Sequence, residues 1–127
     1  MLFYGFSSQE ERRTFGGSCF AELAFCKGVG DTLFKTENLP FWKNDSLYIP
    51  DMEQGPFWLA YKDIVGEGWY SPERRGPLDI YGMNYYTPED LEAIITRVRD
   101  QQPQDWEKLL PWLEEARKYN GFYILGV

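Results

Sequence analysis

The hydrophobic positions of this chain change period along its length, and the plainest period lies at the C-terminal end. Thr87-Pro88-Glu89-Asp90 carries the marks of a helix start: a hydroxyl N-cap, proline at the first helical position and acids in the first turn. Leu91, Ile94, Ile95 and Val98 follow at i, i+3, i+4, i+7, the spacing of one buried helical face. Gln101-Gln102-Pro103 ends that helix. Trp106, Leu109, Leu110, Leu113 and Ala116 continue the period in a second helical region. Pro111 is expected to kink it or to start a new short helix, because proline removes a hydrogen bond and crowds the preceding turn. Asn120-Gly121 is expected to close the helix in left-handed geometry. The unbroken apolar run Phe122-Tyr123-Ile124-Leu125 then reads as a buried strand.

Toward the front the pattern is less regular. Leu2 to Phe6 reads as a first strand. Residues 18–27 put Cys19, Leu23 and Cys26 on one helical face with Gly28 as a stop, which favours a helix, although the same apolar residues would also fill both faces of a buried strand. Gly28-Val29-Gly30 reads as a turn, since the lysine and hydroxyl of a phosphate loop are missing. Between 38 and 86 the chain is interrupted by Pro40, Pro50, Gly55-Pro56, Gly66, Gly68, Pro72, Gly76-Pro77 and Gly82. The pieces left between, Ser46–Ile49, Phe57–Val65 and Leu78–Tyr81, read as short strands joined by long loops. No repeat or linker appears. The expectation is a single α+β domain over 1–127: a mixed sheet of short strands, two or three helices, and a helix–helix–buried strand ending.

Composition changes the picture by what it lacks. The 127 residues include no histidine, while Trp, Tyr and Phe make up 18% and the formal net charge is −7. Without imidazole, histidine-dependent nucleophilic triads and histidine zinc sites are excluded. Residues 41–86 carry 4 basic and 7 acidic side chains, and 87–127 carry 5 and 8. Direct nucleic-acid binding, which needs clustered Lys and Arg, is not expected. An acidic surface favours basic protein partners. The apolar start is too short for a secretory signal and no stretch is long enough to span a membrane, so a cytoplasmic protein is expected. Cys19 and Cys26 then read as buried thiols, and no metal or cofactor is expected.

Two chemistries remain. Asp45, Asp51, Glu53, Glu67, Glu73 and Asp79 lie among Trp42, Trp58, Trp69 and several tyrosines. Acids beside aromatic walls suit a glycan-acting carboxylate pair, but no spacing singles out a pair, and no catalytic residue is assigned. Arg74-Arg75 is read as balancing Glu73 and Asp79 in preference to gripping an anion. Among the aromatics, Phe3, Trp106, Trp112 and Phe122 stand in core contexts. Trp69, Tyr70, Tyr81, Tyr85 and Tyr86 stand in the Gly- and Pro-rich middle, where loops stay on the surface and tyrosines make good interface anchors, while about half of them are equally read as core. The binding candidates are therefore Glu67, Trp69, Tyr70, Glu73 and Asp79, with Asp51 and Glu53 as a second acidic group.

This profile resembles the immunity proteins of polymorphic and contact-dependent growth-inhibition toxins: small, acidic, single-domain inhibitors of a cognate toxin domain. The ending from Leu113 through Glu115-Ala116 and Gly121 into the last apolar strand is also similar to that of the barstar family. The resemblance implies an inhibitor that occludes the active site of a basic toxin domain, for example a nuclease. It transfers no inhibitory residue. The alternatives are a phage or plasmid antagonist that mimics nucleic acid and the histidine-free carboxylate enzyme.

Overall fold

The computed structural model describes residues 1–16 and 19–126. Ser8 caps a short helix, α1 (Gln9–Phe15), by accepting the Glu11 amide. The chain continues through β1 (Phe20–Phe25), β2 (Leu47–Pro50), α2 (Asp51–Val65), β3 (Gly68–Ser71), β4 (Arg74–Gly76), β5 (Met83–Tyr86), α3 (Pro88–Gln101), α4 (Trp106–Ala116) and β6 (Phe122–Leu125). Two short 3-10 helices, Gly30–Phe34 and Thr36–Asn38, lie between β1 and β2. The strands form one sheet in the order β2-β1-β6-β5-β3-β4, and its described pairings are all antiparallel. The α+β expectation holds. The sheet, however, is antiparallel where a mixed one was expected, and four α-helices stand where two or three were. No crossover of the parallel kind is needed, because neighbours β5 and β6 are joined by the α3–α4 hairpin, which returns the chain in the opposite direction.

One face of the sheet is covered by α2, α3 and α4. Leu23, Phe25, Ile49, Tyr86, Phe122 and Ile124 from the strands share a core with Phe57, Tyr61, Leu91, Ile94 and Leu113 from these helices. The ring of Phe25 stacks on Trp112, 4.4 Å between centroids. The opposite face carries Ala24, Cys26, Tyr85, Tyr123 and Leu125, covered by Leu33, Phe34 and Leu39 of the 3-10 segment. Tyr123 Oη donates to the Leu33 carbonyl at 2.6 Å and fastens that cover.

This two-sided burial corrects the reading of residues 18–27. They are not a helix: Phe20–Phe25 is a strand buried along its whole length, and Ser18 lies outside the described residues. A strand covered on both faces has no polar alternation to betray it. Cys26 is buried as expected, whereas Cys19, at the strand's entrance, is exposed. Phe57–Val65 is likewise not a strand but the second half of α2. Phe57, Tyr61, Ile64 and Val65 are its buried face, and Gly55-Pro56 lies inside the helix. Pro56 leaves the Met52 carbonyl without its helical partner, and Met52 is 82% exposed, so water can serve instead. Leu78–Tyr81 is a turn, closed by Gly82 N–H donating to the Asp79 carbonyl at 3.3 Å. Leu2–Phe6 contributes only a bridge, Tyr4 to Tyr48, because Leu2 N–H donates instead to Asp105 Oδ2 at 2.8 Å.

The expected helix, second helix and buried last strand are all present, while the expected helix restart at Pro111 and helix closure at Gly121 are corrected. Thr87 and Asp90 form a reciprocal capping box with Pro88 at the first position, and Gln102 ends α3 in the left-handed region at φ 47°. α4 runs through Pro111 as one α-helix, the carbonyl left free being that of exposed Glu107. Gly121 is left-handed at φ 80°, although α4 has already ended at Ala116 and turns carry the chain to it. The residues Phe122–Leu125 are buried between β1 and β5.

Candidate functional site

The first group of candidate residues comes together on one structural unit, the β3–β4 hairpin and the turn that follows. The unit stands at an edge of the sheet, where β4 has a single strand neighbour. Trp69 pairs with Tyr85 on one side and with Arg75 on the other. Its ring carries the Arg75 guanidinium at 4.8 Å. That guanidinium also donates to the Glu67 carbonyl at 2.8 Å and to Asp90 Oδ1 at 3.2 Å. Arg75 is therefore not paired with Glu73 or Asp79 as expected: antiparallel register puts it beside Trp69 and the start of α3.

Trp69 is half-buried and lines an apolar cleft of about 180 Å³ with Phe34, Pro72, Tyr85 and Thr87. Phe34 packs edge-on to Tyr85, centroids 5.8 Å apart. Glu73, next to Pro72, and Glu67, two residues before Trp69, are both exposed. The carboxylates of Glu67 and Glu73 have no hydrogen-bond or ion-pair partner among the described residues. Tyr81 is 74% exposed. The unit thus offers an apolar socket, a stacked tryptophan and two uncommitted negative charges.

Other candidates have structural work. Tyr70 Oη donates to the Pro77 carbonyl, and its ring lies where any side chain at Gly76 would stand, its nearest carbon 2.6 Å from an added Cβ. Burial and the Asp79 charge push its phenol up. Asp79 Oδ1 accepts the Tyr81 amide at 2.9 Å. Buried Asn84 then holds that turn to the sheet, accepting from Asp79 N–H at 2.9 Å and donating to the Ile124 carbonyl at 3.0 Å. Tyr85 and Tyr86 are 3% and 0% exposed, so the loop reading of these two is corrected: they are strand residues, one on each face of the sheet.

The second acidic group does not join the first. Asp51 opens α2, whereas Glu67 follows its last residue by two. The helix has 15 residues, about 22 Å at 1.5 Å per residue. Asp51 and Glu53 instead border a groove with Tyr4, Phe15, Phe20 and Met52 at the far edge of the sheet. Phe15 and Met52 were missed by sequence reasoning; they belong to different elements and no local spacing connects them.

Acid–base chemistry finds one perturbed carboxyl within the fold, Glu22, which is 2% exposed. Burial pushes its pKa up against the hydrogen bonds that lower it. Its oxygens accept from Trp42 N–H at 2.8 Å, Lys43 N–H at 3.1 Å and Ser46 Oγ–H at 2.6 Å. A carboxylate so enclosed fastens the 42–46 loop to β1. Among the described residues no group of three Cys, Asp or Glu could hold a metal ion, and no described helix is long and apolar enough to cross a membrane. Comparison with protein-family models, curated proteins and solved structures finds no match for this chain.

Proposed function

We propose that this protein is a cytoplasmic inhibitor of the immunity type, which binds a cognate toxin domain with a basic surface and covers its active site with the β3–β4 hairpin. The observation that carries the reading is the cleft of Phe34, Trp69, Pro72 and Tyr85 on a hairpin flanked in the chain by exposed Glu67 and Glu73, whose carboxylates have no partner among the described residues. Interfaces draw their affinity from a few desolvated aromatic anchors, and charge complementarity supplies orientation and association rate. The cleft suits one apolar side chain of a partner whose neighbouring residues are Lys or Arg. Arg75 does not oppose this, since it is paired with Asp90 and lies over the Trp69 ring. A nuclease active site, built to receive phosphates, is the kind of surface such carboxylates would fill.

Tagged protein incubated with extract of its source cells tests the reading, with bound proteins identified at low and at high salt. A basic protein should be retained at low salt and released as ionic strength rises. Glu67→Lys with Glu73→Lys, and separately Trp69→Ala, should lose it while unfolding at nearly the wild-type denaturant concentration. Co-expression should then relieve whatever growth defect the partner causes. Retention of the same partner by both variants would remove the hairpin as the interface. Recovery of no protein at all would remove the binding reading.

A further inference from the structure

At the other edge of the sheet, we infer that the hollow between α1 and the 42–48 segment is a binding site for an oxyanion, carried by a carboxylate or a phosphate and held by Arg12. Arg12 is 7% exposed, yet no carboxylate lies within ion-pair distance of it among the described residues. Its guanidinium stacks on the Trp42 ring at 3.8 Å and stands 5.4 Å from the Phe20 ring. One hydrogen bond, long at 3.4 Å, runs to Gln9 Oε1, and Nε has no partner among the described residues. A desolvated guanidinium without a counter-charge is costly, and aromatic faces return only part of that cost.

The neighbouring acids are committed elsewhere. Glu22 is consumed by Trp42, Lys43 and Ser46. Glu11 accepts from both the amide, at 3.1 Å, and the hydroxyl of Ser7, at the wall of the hollow. The hollow, a cavity of about 270 Å³, is lined by Arg12, Lys43 and Asn44, by Ser7, Ser8 and Gln9, whose side chains already bond Glu11 and Trp42, and by Phe6, Trp42 and Tyr48. No carboxylate lines it. In a chain of net charge −7, a cavity with two cations and no acid is an inversion of the surface around it.

Trp42 supports the same reading. It sits at φ 62°, a left-handed conformation that a side chain bears at a cost. It is held there by Glu22 at its amide, by Gln9 Nε2 at its carbonyl and by Arg12 on its ring. The strained residue is thus the platform on which the guanidinium rests at the wall of the hollow. A planar fork so placed matches the two oxygens of a carboxylate or phosphate.

Proton–nitrogen correlation spectra of the full chain test the inference. Sodium phosphate and sodium acetate are titrated separately against sodium chloride at matched ionic strength. Saturable shifts of the Arg12 Nε–H and the Trp42 indole N–H are expected. Saturation by both anions marks the shared chemistry, and saturation by one identifies the source. Arg12→Lys keeps the charge but not the fork and should bind at least about tenfold less tightly. Should that variant fail to fold, Lys43→Gln and Asn44→Ala at the exposed rim should each weaken binding about threefold. Shifts that chloride reproduces, or that survive all three substitutions, would overturn the site. The site is remote from the β3–β4 hairpin, so its failure leaves the proposed partner binding intact, and the reverse.

Discussion

Replacing Gly121 by alanine asks whether β6 is seated as described. Gly121 has φ 80° and its added Cβ would lie 2.0 Å from the Tyr86 carbonyl oxygen and 3.1 Å from Tyr86 C and Thr87 C. All three are backbone atoms, so no rotamer change can relieve the contact. Ordinary contact begins near 3.4 Å, and the two backbones would have to part by more than an ångström. Left-handed strain for a residue with a Cβ costs about 1–2 kcal/mol, and forcing extra volume into packed structure costs about 1–3 kcal/mol. Parting also threatens the Cys26 N–H bond to the Gly121 carbonyl at 3.0 Å and the Tyr86–Phe122 pairing that ends β5–β6. We expect a loss of about 3–5 kcal/mol, a large share of the about 5–15 kcal/mol that holds a domain of this size. Gly30→Ala is the control. Its φ is 61° and nothing lies within 4 Å of the added Cβ, so only the strain of about 1–2 kcal/mol should appear. Urea unfolding followed by tryptophan fluorescence reads both, through the midpoint and the slope. Equal midpoints for the two variants would refute the close approach of Gly121 to β5, and with it the β5–β6 pairing at Tyr86 and Phe122.

Tyr86 and Glu22 provide two further tests. Tyr86 Oη is buried with no partner among the described residues, and burial drives its phenol well above the ordinary range. Tyr86→Phe should therefore leave stability unchanged or raise it by about 1 kcal/mol, and a loss of that size in thermal unfolding would contradict the packing. The folded Glu22 carboxyl has a pKa above its unfolded value of about 4.3. The native state then binds the extra proton, so this component of stability increases as pH falls through the folded value and levels off below the unfolded one. Glu22→Gln abolishes that component and turns an amide toward donors at Lys43 and Ser46. Its deficit relative to wild type should widen from neutral pH into the acid range, and a deficit that narrows would reverse the argument.

The sequence by itself determined the last third of the chain. A capping box, a 3.6-residue apolar period, a left-handed glycine and a buried apolar run are local signals, each carried by residues within one or two turns of each other. Histidine chemistry was likewise decided by the sequence alone. The hairpin residues Glu67, Trp69 and Glu73 could be named from the sequence because acids and aromatics stand together there in the chain.

Tertiary structure decided the rest, and for one physical reason: burial on two faces erases periodicity. β1 reads as a helix because both of its faces are covered, one by helices and the other by the 3-10 segment. α2 reads as a strand in part because Gly55-Pro56 interrupts it and exposed Met52 and Leu59 blur its apolar stripe. Which tyrosines are core followed from register, which turned Tyr85 and Tyr86 to opposite covered faces. The cleft beside Trp69 needed Phe34 from a segment 35 residues earlier in the chain. Arg12 carried no local signal in the sequence, and only folding set it on Trp42 with no carboxylate in ion-pair distance among the described residues.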